Sequence, residues 1–312
     1  MFDKRLMMAA LLGGLATPAH AETLPVPAAV PAAADAHDLF RISVERFEGA
    51  DGAAFAQALE AELSGARFDG QPYFRVVAPE SGAPVDALVT GTVRTSVDEV
   101  PVTEKRKRCT EYDPADKKKC LKEIDVEIRC RRRTATMTTN VRLVAIGDGS
   151  IRYTRPLSAR DHQTLCPDRS APRSIDDYFA ATQESQVRAV RADLAPRDYT
   201  IDVRVEESVK GLAKPAQAAF KAAVRLTKTD PFGACSAWEA MTRDAEPTAA
   251  LAFNMGLCNE MEGDLDAAVD WHGDARHRGL RAASVDEALA RIERRRLALG
   301  QWIVHKSVMD AR

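Results

Sequence analysis

The sequence predicts an α/β (α+β) N-terminal domain with a mixed sheet and long β-hairpins, followed by an all-α module of helical repeats. Three observations carry this reading. β-type runs recur at 39–44, 73–77, 87–97, 134–146 and 151–158, separated by Gly, Pro and Asp clusters. From Gly211 onward the apolar period changes from two to 3.6. Six cysteines form three pairs, each centred on a turn sequence: Cys109/Cys120 around Asp113-Pro114-Ala115-Asp116, Cys130/Cys166 around Gly147-Asp148-Gly149-Ser150, and Cys235/Cys258 around Glu246-Pro247. Residues equidistant from a hairpin turn lie opposite each other, within disulfide reach. The expected bridges are therefore Cys109–Cys120, Cys130–Cys166 and Cys235–Cys258.

Taken in order, Lys4 and Arg5 precede an apolar run from Leu6 to Leu15, and Ala19-His20-Ala21 fits a small-x-small cleavage site. Residues 1–21 thus read as a signal peptide, and the run is too short to span a bilayer. No cysteine follows the cleavage site before Cys109, so no lipid anchor is expected. Residues 22–36 are Pro/Ala-rich and read as a disordered leader. The α/β domain is expected over 37–207. It opens with the strand Leu39–Val44. Asp51 then caps a helix in which Phe55, Leu59 and Leu63 recur at i, i+4 and i+8. On the strand 134–146, Ala135, Met137, Thr139, Val141, Leu143 and Ala145 share one face. Ile151–Ser158 returns antiparallel, Ser174 and Asp177 form a capping box for a helix ending before Pro196, and Thr200–Val205 closes the domain.

Tetratricopeptide-like helical repeats are expected over 208–299, with 300–312 as a tail. Asp230-Pro231 starts a helix, Gly263-Asp264 stops one and caps the next, and Ser284/Glu287 reads as a further capping box. Gly256, Gly263, Ala268 and Ala275 stand at the small-residue spacings of a tetratricopeptide repeat, and Ala222 and Ala234 lie 34 residues before Gly256 and Ala268.

The order strand, helix with AQALEAEL, strand, then VDALVTGTV at 85–93, preceded by RISVERFEG, is similar to a family of bacterial envelope domains. That family includes the curli secretion lipoprotein, the lipoprotein activators of penicillin-binding proteins and the N-terminal domain of the Tol-system β-propeller protein. The resemblance covers about 39–205. It implies a mixed sheet packed by helices and a non-enzymatic role in envelope assembly, secretion or activation. The chain departs from the family in lacking a lipobox and in carrying the cysteine-rich hairpin.

The composition, with 45% hydrophobic and 29% charged residues and a net charge of −2, is that of a soluble chain with ample core. Charge is concentrated in the hairpin. From Glu104 to Arg133 there are twelve Lys/Arg against seven Asp/Glu, or +5, leaving −7 for the rest. Lys105, Arg106, Lys107, Arg108, Lys117, Lys118, Lys119, Arg131, Arg132 and Arg133 are the candidate contacts for an anionic surface or an acidic partner. Charged edges also protect an isolated hairpin from edge-to-edge pairing. Tyr112 is the lone aromatic in the run, so nucleic acid is not expected. The cysteine spacings fit no zinc site, His272 and His277 at i, i+5 do not share a helix face, and G-x-S-x-G, H-E-x-x-H and P-loop motifs are absent. No catalytic residue, metal or cofactor is expected. The sequence reads as a non-catalytic, periplasmic protein-binding scaffold that takes an envelope protein or peptide on its helical repeats. Two alternatives stay open: a periplasmic hydrolase with a site invisible in the sequence, and a polyanion-binding envelope protein acting through the basic hairpin.

Overall fold

The structure, a computed structural model, describes residues 22–169 and 173–311. The expected signal peptide, 1–21, lies outside the described residues. The chain begins with β1 (Thr23–Val30), β2 (Arg41–Val44) and α1 (Gly52–Ser64). Three two-residue strands follow: β3 (Arg67–Phe68), β4 (Gln71–Pro72) and β5 (Arg75–Val76). Then come the long strands β6 (Ala87–Tyr112), β7 (Cys120–Ala145) and β8 (Ile151–Leu165), then α2 (Ile175–Leu194) and β9 (Arg197–Arg204). The remainder is helical: α3 (Lys214–Leu226), α4 (Pro231–Asp244), α5 (Ala249–Glu262), α6 (Leu265–His277) and α7 (Ala282–Asp310). The chain divides into two units, and each is made of two separate stretches. A sheet unit holds Ala28–Tyr199 and Glu293 onward; a helical unit holds the described residues up to Pro27 and Thr200–Ile292.

The sheet unit carries a mixed five-stranded sheet in the order β5-β2-β6-β7-β8. β2 runs parallel to β5 and to the start of β6, whereas β6, β7 and β8 form an antiparallel meander. The predicted faces hold. Ala135, Met137, Thr139, Val141, Leu143 and Ala145 are all buried, as are Phe55, Leu59 and Leu63 of α1. The motif residues of 85–93 act through packing. A Cβ at Gly91 would stand 2.5 Å from the Phe47 ring and 2.1 Å from the Asn140 carbonyl, so only glycine lets Phe47 lie across β6. Ser174 caps α2 as expected, its hydroxyl accepting from the Asp177 amide at 3.0 Å. Asp51 precedes α1 without capping it; its carboxylate instead accepts from the Thr95 hydroxyl at 2.6 Å.

Two expectations at the chain ends are corrected. Residues 23–30 are not a disordered leader. Leu24, Val26 and Ala28 are buried at period two, and their strand pairs with β9. Pro25 and Pro27 fall between them, and an outer strand of a two-stranded sheet tolerates their missing N–H groups. Residues 300–310 are not a tail but the end of α7. Trp302 packs 5.7 Å from the Phe68 ring, and His305 stacks on Tyr73 at 3.9 Å within the sheet unit. Its helix-forming sequence and apolar Ala298/Trp302 stripe were obscured by six Lys/Arg residues from Arg281 to Lys306. The boundary expected at 207/208 falls instead at 199/200 and 292/293.

In the helical unit, Asp230 caps α4 by accepting from the Gly233 amide at 2.8 Å, and Asp264 caps α6 by accepting from the Ala267 amide at 3.0 Å. Gly263 ends α5 at φ 90°. Ser284 does not cap a helix, since α7 has already begun at Ala282. The core gathers Leu24, Val205, Phe220, Trp238, Leu257 and Val285.

Candidate functional site

All three expected disulfides are present: Cys109–Cys120, Cys130–Cys166 and Cys235–Cys258, with Cα separations of 5.8, 4.4 and 5.6 Å. The first closes the tip of the β6–β7 ribbon and the second ties β7 to the end of β8. The third joins α4 to α5. Beyond Pro101 and Arg131 the ribbon has no third strand among the described residues and extends for eleven residues of β6, roughly 36 Å at strand rise.

The ribbon does not gather its candidate cations on one face. Opposed residues share a face, so Lys105 and Lys107 lie on the side of Glu127 and Asp125, whereas Arg106 and Arg108 lie with Val126 and Ile124. Part of the charge is answered locally. Lys105 pairs with Glu127 at 3.8 Å, Lys107 with Glu123 at 3.2 Å and Lys119 with Asp113 at 3.4 Å. Arg106 holds Glu104 and Asp168, at 2.5 and 2.7 Å, and the Glu104 hydrogen bond raises its pKa. Arg131 and Arg133 converge on Glu99, and the Arg133 hydrogen bond holds that carboxyl below its usual range. Arg108, Lys117, Lys118 and Arg132 form no ion pair among the described residues. Acids on β7 opposite the basic run of β6 thus answer part of the charge of a solvated ribbon.

Cys166, His162 and His272 are each held by a neighbouring side chain. Cys166 is bonded to Cys130, so the cluster these two form with Glu104 offers no thiolate to a metal. His162 Nδ1 lies 3.0 Å from the Thr134 hydroxyl. His272 is fully buried beneath Gly256, where a Cβ would come within 2.5 Å of the imidazole. Its Nε2 lies 2.8 Å from Glu260 Oε1, and Arg291 grips the same carboxylate through Nε at 2.8 Å and Nη2 at 2.6 Å. Burial alone would raise the Glu260 pKa, but hydrogen bonds from His272 and Arg291 override it and hold the carboxyl below its ordinary value. This joins α5, α6 and α7 through a paired buried charge.

A groove of about 740 Å³ lies wholly within the helical unit, between β9 and the first turns of α7. Ile201 and Val203 of β9 with Phe253 and Leu280 supply its apolar lining, and Ser284, Glu287 and Arg291 stand on its other wall at i, i+3 and i+7 of α7. The lining contains no His or Cys. Asn254, fully buried on α5, anchors the strand above it. The Glu206 amide donates to Asn254 Oδ1 at 2.8 Å, and Asn254 Nδ2 donates to the Glu206 carbonyl at 2.9 Å. Sequence reading missed this groove because β9 was taken as the closing strand of the sheet domain.

A family model described as Domain of unknown function (DUF6340) matches residues 220–292, from α3 into α7. No curated protein matches the chain. Among solved structures, the PelC dodecamer from Paraburkholderia phytofirmans aligns at 12% identity over 55% of this chain and 97% of that chain, with a TM-score of 0.24.

Proposed function

We propose that the protein is a non-catalytic, exported scaffold of the bacterial cell envelope that binds a protein partner through its helical unit. The observation that carries the proposal is the groove beside β9: it is large enough for several residues of a partner and has an apolar floor with polar walls. The three disulfides fit an oxidising compartment, and no described helix is long and apolar enough to cross a membrane. The basic ribbon is secondary in this reading, because its cations lie on both faces and some of them are paired with acids.

The test is site-specific photocrosslinking in the native cell. A photoreactive residue at exposed Glu287, on the groove wall, should give a discrete protein adduct, whereas one at Glu60, on an outer position of α1, should not. Absence of any adduct from position 287, with the protein correctly exported and oxidised, defeats the proposal.

A further inference from the structure

Resting on that reading, we infer that the groove receives an extended peptide as an added β-strand beside β9, with basic side chains alternating with small apolar ones. β9 belongs to a two-stranded sheet and is covered by β1 on one side only. The orientation of its free edge follows from one bond. The Val205 amide donates to the Glu22 carbonyl at 3.0 Å, so Val205 faces the β1 side. Main-chain direction alternates along a strand, so the N–H and C=O groups of Asp202, Arg204 and Glu206 face the other edge.

That second edge is already paired at one position. Asn254 presents its side-chain amide to Glu206 with both a donor and an acceptor, as a residue of a neighbouring strand would. Arg204 and Asp202 are the next two edge positions, and they open onto the groove with no main-chain partner on that side among the described residues. Residues 201–204 span about 13 Å of strand. A peptide entering here would continue the ladder that Asn254 begins, with α7 as its outer wall.

The charge of the groove selects the peptide. Arg204 is answered by Glu207 at 3.0 Å, and Arg291 is held by buried Glu260. Asp202, Glu206 and Glu287 have no ion pair among the described residues, against a single remaining cation, Arg281, which donates to the Ser284 hydroxyl. Three carboxylates on a groove with an apolar floor of Ile201, Val203, Phe253 and Leu280 favour basic groups between small apolar side chains.

The probe is a fluorescent ten-residue peptide of alternating Lys and Val, titrated by polarisation against the full disulfide-intact chain at low salt. Two backbone N-methylated versions, one methylated at every Lys amide and one at every Val amide, identify strand addition, because only one peptide edge pairs. One of the two should lose about tenfold or more, as expected for removing two main-chain bonds, while the other binds within a few-fold of the parent. Equal behaviour of the two, or equal binding of a Glu/Val peptide, overturns the inference. Replacement of exposed Glu287 by Lys, which leaves the core untouched, should weaken the Lys/Val peptide by about two- to fivefold. If none of the peptides binds while position 287 still gives its adduct in the cell, strand addition is wrong and the binding reading stands; if both fail, the binding reading falls with it.

Discussion

Replacing Arg291 with Met removes the cation from the buried Glu260–His272–Arg291 network at almost constant side-chain length. Glu260 is 1% and Arg291 4% exposed, and the guanidinium supplies two of the three hydrogen bonds to the carboxylate described above. Breaking a buried pair from one side costs about 3–5 kcal/mol because the remaining charge loses its paired cation. At roughly 4 °C per kcal/mol for a unit of about a hundred residues, the transition of the helical unit should fall by about 12–20 °C. The sign with pH is also fixed. In the native chain the Glu260 pKa is depressed, so its contribution is present above about pH 4.5 and lost as pH falls through the folded value. In the variant the carboxyl loses the Arg291 hydrogen bonds that hold it down and titrates higher than in the native chain, so the variant recovers relative stability in acid. Calorimetry of the full chain at pH 7 and pH 5 should therefore show a deficit that shrinks toward pH 5. A fall below about 3 °C at pH 7, or a deficit that grows in acid, would refute the buried-network reasoning. Arg278→Met, which touches only the exposed Asp274 and Glu246 pairs, is the control and should cost about 1 kcal/mol or less.

Other consequences are open to measurement. Gly256→Ala places a Cβ against the His272 ring and should destabilise the helical unit by about 1–3 kcal/mol, read by calorimetry, whereas Gly273→Ala meets open space and should not. Removing both Cys109 and Cys120 should loosen the ribbon tip, seen as faster amide exchange over 105–125, while the global melting temperature stays within a few degrees, since the ribbon lacks a third strand there. Burial lowers the His305 pKa although its nitrogens lie against the His37 and Tyr73 carbonyls, so the native stacked state favours neutral imidazole. The unfolded chain then binds the extra proton, and stability should be full above about pH 6.5 and decline as pH falls toward the depressed folded value. His305→Phe should flatten that slope in melts between pH 5 and 7.

Much of the architecture was legible because its signals are local. The three bridges followed from turn-centred symmetry, and the buried face of β7 followed from unbroken alternation through Ala145. The helix stops at Pro196 and Gly263 came from residues whose backbone preferences act alone. What escaped was non-local. Nothing adjacent to Leu24 or Val26 announces that a proline-rich stretch will pair with β9, some 170 residues later in the chain. Trp302 and His305 appear as a charged tail until Phe68 and Tyr73 are placed beside them. The groove was invisible for the same reason: its key anchor is one amide, Asn254, meeting the main chain of Glu206, and neither residue is unusual for its segment.

The discontinuous make-up of the two units bears on the order in which their cores can close. Synthesis delivers β1 early, yet the helical unit that buries Leu24 is completed only when Thr200–Ile292 has followed. The sheet unit in turn waits for Trp302 and His305 near the other end. Neither hydrophobic core closes until almost the whole polypeptide has emerged. Deleting β1 or the last turns of α7 would therefore remove part of a core rather than an appendage.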